Sequence, residues 1–346
     1  MATVHASRDS RRDLFAPVPI DPQGVDGPSP GQARGPRWRA TARGLYVPAD
    51  VEPTADQRTL EASAVLREDE GVTGWAALHW MGGRWFDGLT AGGLVARDVP
   101  LVARRHLIAQ PGFAVSQEFL HPDEVVVVDG VPVTVAVRSV TYEMRHARGL
   151  GDAVVALDMA CFSDLVSIAE VDAYVTALGP VTGIGRAREA VLEADENSWS
   201  PRETMMRGVW TRRAGLPRPL CNRPVFTLDG RHVGTPDVID PVLGLVGQYN
   251  GPDHLTLAGA AHDERQAAGY RDLGLESVSM LATDWADPRG FVARLLAASN
   301  RARARRTPPA WTVEPPPWWT PTHSVARRRA LAADERARYL AYQRAA

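Results

Sequence analysis

Apolar residues along this chain fall into short runs of two kinds, strand-like and helix-like. Leu45-Tyr46-Val47 is an extended run ended by Pro48, which reads as a short strand. Gln57 to Arg67 and Gly74 to Trp80 carry apolar residues at helical spacing, whereas Val99 to Ala103 and Phe113 to Ser116 read as strands. Val125 to Val128 and Val131 to Val135 flank Asp129-Gly130, the pattern of a hairpin with a two-residue turn. Helical spacing returns at Val140 to Arg148, Gly151 to Phe162 and Ala187 to Ala194.

From Ser200 the order is simpler. Ser200-Pro201-Arg202-Glu203 opens a helix that runs to about Arg213, and Gly215-Leu216-Pro217 breaks it. Val225 to Leu228, His232 to Ile239 and Leu243 to Tyr249 read as three strands, with Asp229-Gly230 as the first turn. Ala260 to Asp272 is a helix, Glu276 to Leu281 a strand and Pro288 to Arg301 a helix. Helix, three strands, helix, strand, helix predicts an α/β layer arrangement. Six prolines between Thr307 and Thr322 make a stiff extended segment, and its tryptophans, Trp311, Trp318 and Trp319, are expected to pack it back onto the body. Ser324 then caps a charged helix from Val325 to Arg344. The chain therefore divides into an arginine-bearing arm (1–45), an α/β region (46–196), a layered α/β domain (197–304) and a Pro/Trp-rich linker with a terminal helix (305–346).

Composition adds four constraints. With 346 residues, 45% of them apolar, the chain has enough apolar material for more than one buried core. No apolar run reaches membrane-spanning length and Met1 to Arg12 lacks the apolar stretch of a signal peptide, so a cytoplasmic protein with no membrane partner is expected. Cys161 and Cys221 lack metal-site spacing and read as small buried residues. The net charge of −2 is uninformative, but every Lys/Arg position is arginine. Any mechanism that needs a lysine is thereby excluded.

The chemistry-bearing constellation lies in the back region. Metal-dependent nucleases hold a divalent ion with two or three carboxylates, and the ion polarises a phosphate and activates a water. A compact frame for this is an acid on a first helix plus acids on two neighbouring strands. Here Glu203 lies on the helix, Asp237 sits in Thr235-Pro236-Asp237, and Gln248-Tyr249-Asn250-Gly251 and His254 follow on and after the next strand. Each position also has an ordinary reading. Ser200-Pro201-x-Glu203 is a capping box worth about 1 kcal/mol. Asn250-Gly251 is a turn dipeptide, and Asp263 is a solvated helix residue.

The run Ser-Pro-x-Glu, helix, Ala-Gly-Leu-Pro, strand, Asp-Gly-Arg, Pro-Asp, then x-Tyr-x-Gly-x-x-His resembles a bacterial nuclease-like family. That family is similar to the very-short-patch-repair endonucleases and belongs to the PD-(D/E)XK class. The front region resembles the AbiEi-type abortive-infection antitoxins in Arg43-Gly44-Leu45-Tyr46-Val47-Pro48, Asp123-Glu124-Val125 and Gly130-Val131-Pro132-Val133-Thr134. The resemblance implies an α/β fold: a small α/β front module, then a restriction-endonuclease-like domain with a central mixed sheet. It implies catalytic positions at Glu203, Asp237, Gln248, Asn250, His254 and Asp263, with Glu203 and Asp237 as ligands of Mg or Mn. It also implies DNA as a partner and, through the front region, a toxin.

Two departures bear on activity. Where the family pattern has Glu and Asp, this chain has Gln248 and Asn250, and Gln266 replaces the arginine of an Asp-x-x-Arg pattern that begins at Asp263. Each acid-to-amide swap keeps the shape and removes a charge, so weak metal affinity and little or no cleavage are expected. Arg34, Arg37 and Arg39, in an acid-free stretch, and Arg207, Arg212 and Arg213 are candidate nucleic-acid contacts; clusters of this density track phosphates or form a solvated face. The expected function is a nucleic-acid-binding defence or regulatory protein with an inactive nuclease-like domain. The alternatives are an active Mg/Mn-dependent endonuclease and an antitoxin-like protein-interaction module.

Overall fold

The computed structural model describes residues 11, 13–90, 93, 95–250 and 257–345, with side chains described outside 257–264 and 344–345. The chain divides into two units, Met1–Val191 and Leu192–Ala346. Together they are an α/β protein with mixed sheets. No helix among the described residues is long and apolar enough to cross a membrane. Both cysteines are buried.

The first unit begins with a three-stranded antiparallel sheet of β1 (Val18–Pro19), β2 (Trp38–Ala42) and β3 (Leu45–Pro48), in the order β1-β3-β2. Trp38–Ala42, inside the stretch expected to be an arm, is thus a strand. After α1 (Ala55–Ser63) come β4 (Gly71–Val72), α2 (Gly74–Trp80), β5 (Val99–Val102), β6 (Phe113–Ser116), β7 (Val125–Val128) and β8 (Val131–Thr134). These strands form a mixed sheet in the order β6-β5-β4-β8-β7. The β7–β8 turn, Asp129-Gly130, has φ of 45° and 82°, the double left-handed geometry of a hairpin turn whose twist matches the strands. Helices α3 (Ala136–His146), α4 (Leu150–Phe162), α5 (Ile168–Ala177) and α6 (Ile184–Glu193) follow. Trp75, Trp80, Leu101, Val133, Val140, Met144 and Leu157 are all buried in this unit.

The second unit opens with α7 (Pro201–Gly208), which continues as a π-helical turn over Val209–Arg213. Then come β9 (Leu220–Cys221), β10 (Val225–Thr227), β11 (His232–Gly234), β12 (Val238–Asp240), β13 (Leu245–Asn250), α8 (Leu257–Asp272), β14 (Glu276–Leu281) and α9 (Arg289–Ala304). The central sheet has the order β14-β13-β12-β9. Its β12 pairs antiparallel with β13 and β9, while β13 and β14, joined through α8, are parallel.

Successive side chains in a strand point to opposite faces, and the cores follow that rule. Val238 and Leu245 pack with Met206, Trp210, Phe291 and Leu295 from α7, its π turn and α9. Ile239 and Val246 pack with Val225, Tyr270 and Trp311 on the other face. At Gly247 an added Cβ would lie 2.8 Å from Val238 and 3.2 Å from Trp210, so only glycine lets the tryptophan close on the sheet.

Two expectations are corrected. The run His232 to Ile239 is not one strand. Pro236, which has no N–H to give, lies in a break; β11 joins β10 in a separate sheet, while β12 joins the central one. The terminal segment is not one helix but three, α10 (Val325–Arg329), α11 (Ala333–Tyr339) and α12 (Ala341–Ala345). The Pro/Trp-rich tail does pack back. Trp311–Thr312 forms β15, which pairs with β10 in a sheet of order β11-β10-β15. Trp311 is buried, so Trp311→Ala should destabilise the second unit by about 3–5 kcal/mol in denaturant unfolding, and an unchanged midpoint would show that the tail is dispensable.

Candidate functional site

Register places the nuclease-like positions. Val238 faces Gly247 across β12 and β13, so the preceding residue, Asp237, stands beside Gln248. Alternation then puts Asp237, Gln248 and Asn250 on the α8 face. The Asp237 carboxylate accepts from the Tyr249 backbone N–H at 2.6 Å. The Gln248 side-chain amide donates to the Gln266 carbonyl on α8 at 2.6 Å. Tyr270, also on α8, is fully buried, and its hydroxyl has no hydrogen-bond partner among the described residues. Burial and the Asp237 charge push that phenol up. Gly234 closes the same corner: a Cβ there would lie 2.4 Å from Gln266 Nε2 and 2.7 Å from Tyr270 Oη.

Glu203 is differently employed. Its Oε2 accepts from the Trp199 backbone N–H at 2.8 Å and from Asn222 Nδ2 at 2.7 Å, and its Oε1 accepts from Ser200 Oγ at 3.0 Å. Its own N–H donates to Ser200 Oγ at 3.2 Å. The capping reading of Ser200-Pro201-x-Glu203 therefore holds, with the carboxylate reaching back past Ser200 to Trp199. Burial pushes this carboxyl up, opposed by the bonds from Asn222, Trp199 and Ser200 and by the Arg207 charge.

Asn222 joins the two acids. Its backbone N–H donates to the Asp237 carbonyl at 2.9 Å, and its side-chain amide donates to Glu203 and, at 2.8 Å, to the Asn197 carbonyl. Asn197 returns bonds to the carbonyls of Cys221 and Asn222. Asn222 has φ of 45°, a conformation asparagine tolerates better than most residues. It lies outside every motif considered above; the readable signal was an asparagine closing a strand just before Arg223-Pro224.

Among the described side chains this arrangement does not make a metal centre: of these, only Asp237 offers a charged oxygen on the face in question, Gln248 is engaged with Gln266, and Glu203 is committed to the helix cap. Among the described residues no three His, Cys, Asp or Glu side chains converge as metal ligands. His254 lies outside the described residues, as does the side chain of Asp263.

The arginine assignments need correcting. Arg207 is buried, donating to Ser198 Oγ at 2.7 Å, Cys221 Sγ at 3.3 Å and the Glu193 carbonyl at 3.0 Å, so it braces the fold instead of meeting a phosphate. Arg39 grips Glu61 with two bonds of 2.8 and 2.9 Å, and Arg212 pairs with Glu193. Arg34, Arg37 and Arg213 are exposed. Arg202 is exposed as well, with its guanidinium 4.9 Å from the Trp285 ring.

A cleft of about 350 Å³ opens beside Asn222, between the body of the second unit and its tail. Trp199 and Tyr342 stack along it, 4.1 Å between centroids and 16° between planes. Trp318, Trp319, Arg223, His323 and Arg338 also line it. No family model, curated protein or solved structure matches this chain.

Two predictions concern this region. Asn222→Ala removes both amide donations and leaves a left-handed alanine, so it should destabilise the second unit by about 2–4 kcal/mol, and Asn222→Gly by less. Equal losses in denaturant unfolding would remove the backbone part of the explanation. His323 is held down to about 4 by burial and by Arg223 and Arg327, against 6.5 when free. The unfolded chain thus takes up this proton first, and stability should fall as pH drops from 6.5 to 4. Unfolding followed against pH should show a shallower acid-side loss in His323→Gln; an identical slope would clear His323 of the effect.

Proposed function

We propose that this chain is a nucleic-acid-binding protein of the defence or regulatory kind, and that its second unit is a PD-(D/E)XK-type nuclease frame that no longer cleaves. The observation that carries the reading is the contact between Gln248 and Gln266. Where that frame calls for a second carboxylate next to Asp237, an amide stands and is spent on another amide. The motif order from Ser200 to Asn250 and the mixed sheet that carries it support the nuclease-like assignment. A corner with one carboxylate among its described side chains does not neutralise a divalent ion, and it repels a phosphate less than an unmetallated acidic cluster does.

Support for binding comes from the exposed guanidinium groups of Arg202, Arg213 and Arg231 on the second unit, none of them in an ion pair among the described residues. The AbiEi-like motifs of the first unit support a defence context, and a toxin is the partner they suggest.

Cleavage is tested with supercoiled plasmid and Mg or Mn. The parent is expected to leave the plasmid intact, and a Gln248→Glu/Asn250→Asp variant is expected to nick it, because the Gln266 amide can turn to donate to the new carboxylate. Nicking by the parent that Asp237→Ala abolishes would replace this reading with an active endonuclease. Binding is tested by duplex retention across a salt series. Affinity should fall steeply with salt, and Arg213→Ala should flatten the log–log slope by about one. No retention at low salt would remove the nucleic-acid role.

A further inference from the structure

The cleft beside Asn222 has a lining that neither the fold nor the nuclease-like corner explains. Five aromatic rings border it: Trp199, Trp318, Trp319, Tyr339 and Tyr342. Its charged lining residues are Arg223 and Arg338, with the imidazole of His323; no Asp or Glu is among the described residues that line it. Neither arginine is in a salt bridge among the described residues. Arg338 stands 5.2 Å from the Tyr339 ring centroid.

Trp318 is 61% exposed, although it belongs to an aromatic group with Phe226 and Trp319, which it meets in T-shaped arrangements. An indole that lines a cleft and is more than half exposed is a large apolar surface that internal packing leaves uncovered. At the base, Asn222 gives both described side-chain donations through Nδ2. Its Oδ1 receives no hydrogen bond from a described residue and is not among the buried atoms without a partner. The cleft therefore offers π surface and positive charge, with the Asn222 amide in its lining. Its volume is at the lower end of the ~300–1,000 Å³ range of small-molecule sites.

We propose that this cleft is a nucleotide site, in which one unstacked base lies against Trp318 and the neighbouring rings while Arg223 and Arg338 hold its phosphate. Each component of the lining answers one part of that ligand. Aromatic faces accept any base by stacking, guanidinium groups take phosphate oxygens, and an amide oxygen accepts from an exocyclic amine. An apolar peptide would leave both arginines unanswered, and inorganic phosphate would leave the rings bare. The same chemistry is supplied by a free mononucleotide or by one nucleotide of a strand; the inference rests on the nucleic-acid reading only for the second source.

The experiment uses the full chain and follows tryptophan fluorescence and direct binding. The probes are dAMP, an eight-nucleotide single strand, the same strand built of abasic sites, and inorganic phosphate. The base-bearing strand should quench and bind; the abasic strand and phosphate should not quench. Quenching by dAMP as well identifies a site for free nucleotides, and quenching by the strand alone identifies one for a strand. Trp318→Ala should weaken base-bearing probes by about tenfold or more, while Trp318→Phe keeps most of the affinity, which separates stacking from a general loss of structure. Abasic strand binding as tightly as the base-bearing one, Trp318→Ala without effect, or no probe binding would each overturn the proposal. Duplex retention that depends on Arg213 and ignores Trp318 would leave the nucleic-acid role standing without this site. Binding of dAMP by a protein that retains no duplex would do the reverse.

Discussion

The second unit is organised around one residue held in a backbone conformation that few side chains accept. Asn222 ends β9 with a left-handed turn, and from there its backbone N–H reaches the strand side of the unit at Asp237 while its side chain reaches the helix side at Glu203 and Asn197. A buried carboxylate is costly unless its oxygens are met by donors, and Asn222, Trp199 and Ser200 meet those of Glu203. The start of α7, the end of β9 and the approach to β12 are thereby fixed relative to one another. The aromatic cleft is lined in part by the same residue.

Two carboxylates that a motif pairs are thus given separate tasks. Glu203 is turned inward to hold a helix, and Asp237 remains on the α8 face with amides for neighbours. Replacing Glu or Asp by Gln or Asn changes volume little, which is why the corner still packs: Gln248 finds Gln266, and Gly234 leaves room for Gln266 and Tyr270. Charge counts on the arginines mislead. Arg207 carries the same charge as Arg213, but its guanidinium is consumed by Ser198, Cys221 and a carbonyl, and only tertiary structure distinguishes the two.

Elements set by local pattern were legible. The hairpin at Asp129-Gly130 announces itself by two valine-rich runs and by a turn dipeptide suited to left-handed φ. Glycine and proline punctuation places α7, β14 and α9 to within a few residues. Helix α5 was less visible, because its apolar positions are interrupted by Asp172 and Thr176; the surviving sign is Ser167-x-x-Glu170, which the structure forms as a reciprocal cap. The split of His232 to Ile239 between two sheets was hidden, since the change of pairing partner at Pro236 depends on strands distant in sequence. In the site, the Glu203 cap, Asp237 and Gln248 were legible, whereas Asn222 and the aromatic cleft depend on contacts distant in sequence.

Strand β15 couples the making of the protein to its folding. Until Trp311 and Thr312 leave the ribosome, β10 presents an open edge on one side, and the core around Val225, Ile239 and Val246 lacks its indole. A nascent or shortened chain that stops earlier displays an unpaired strand beside unfilled apolar surface, the features that chaperones and proteases engage. The stability of the unit thus registers that synthesis has passed Trp311 and Thr312, and β15 acts as the latch on the strands made before it.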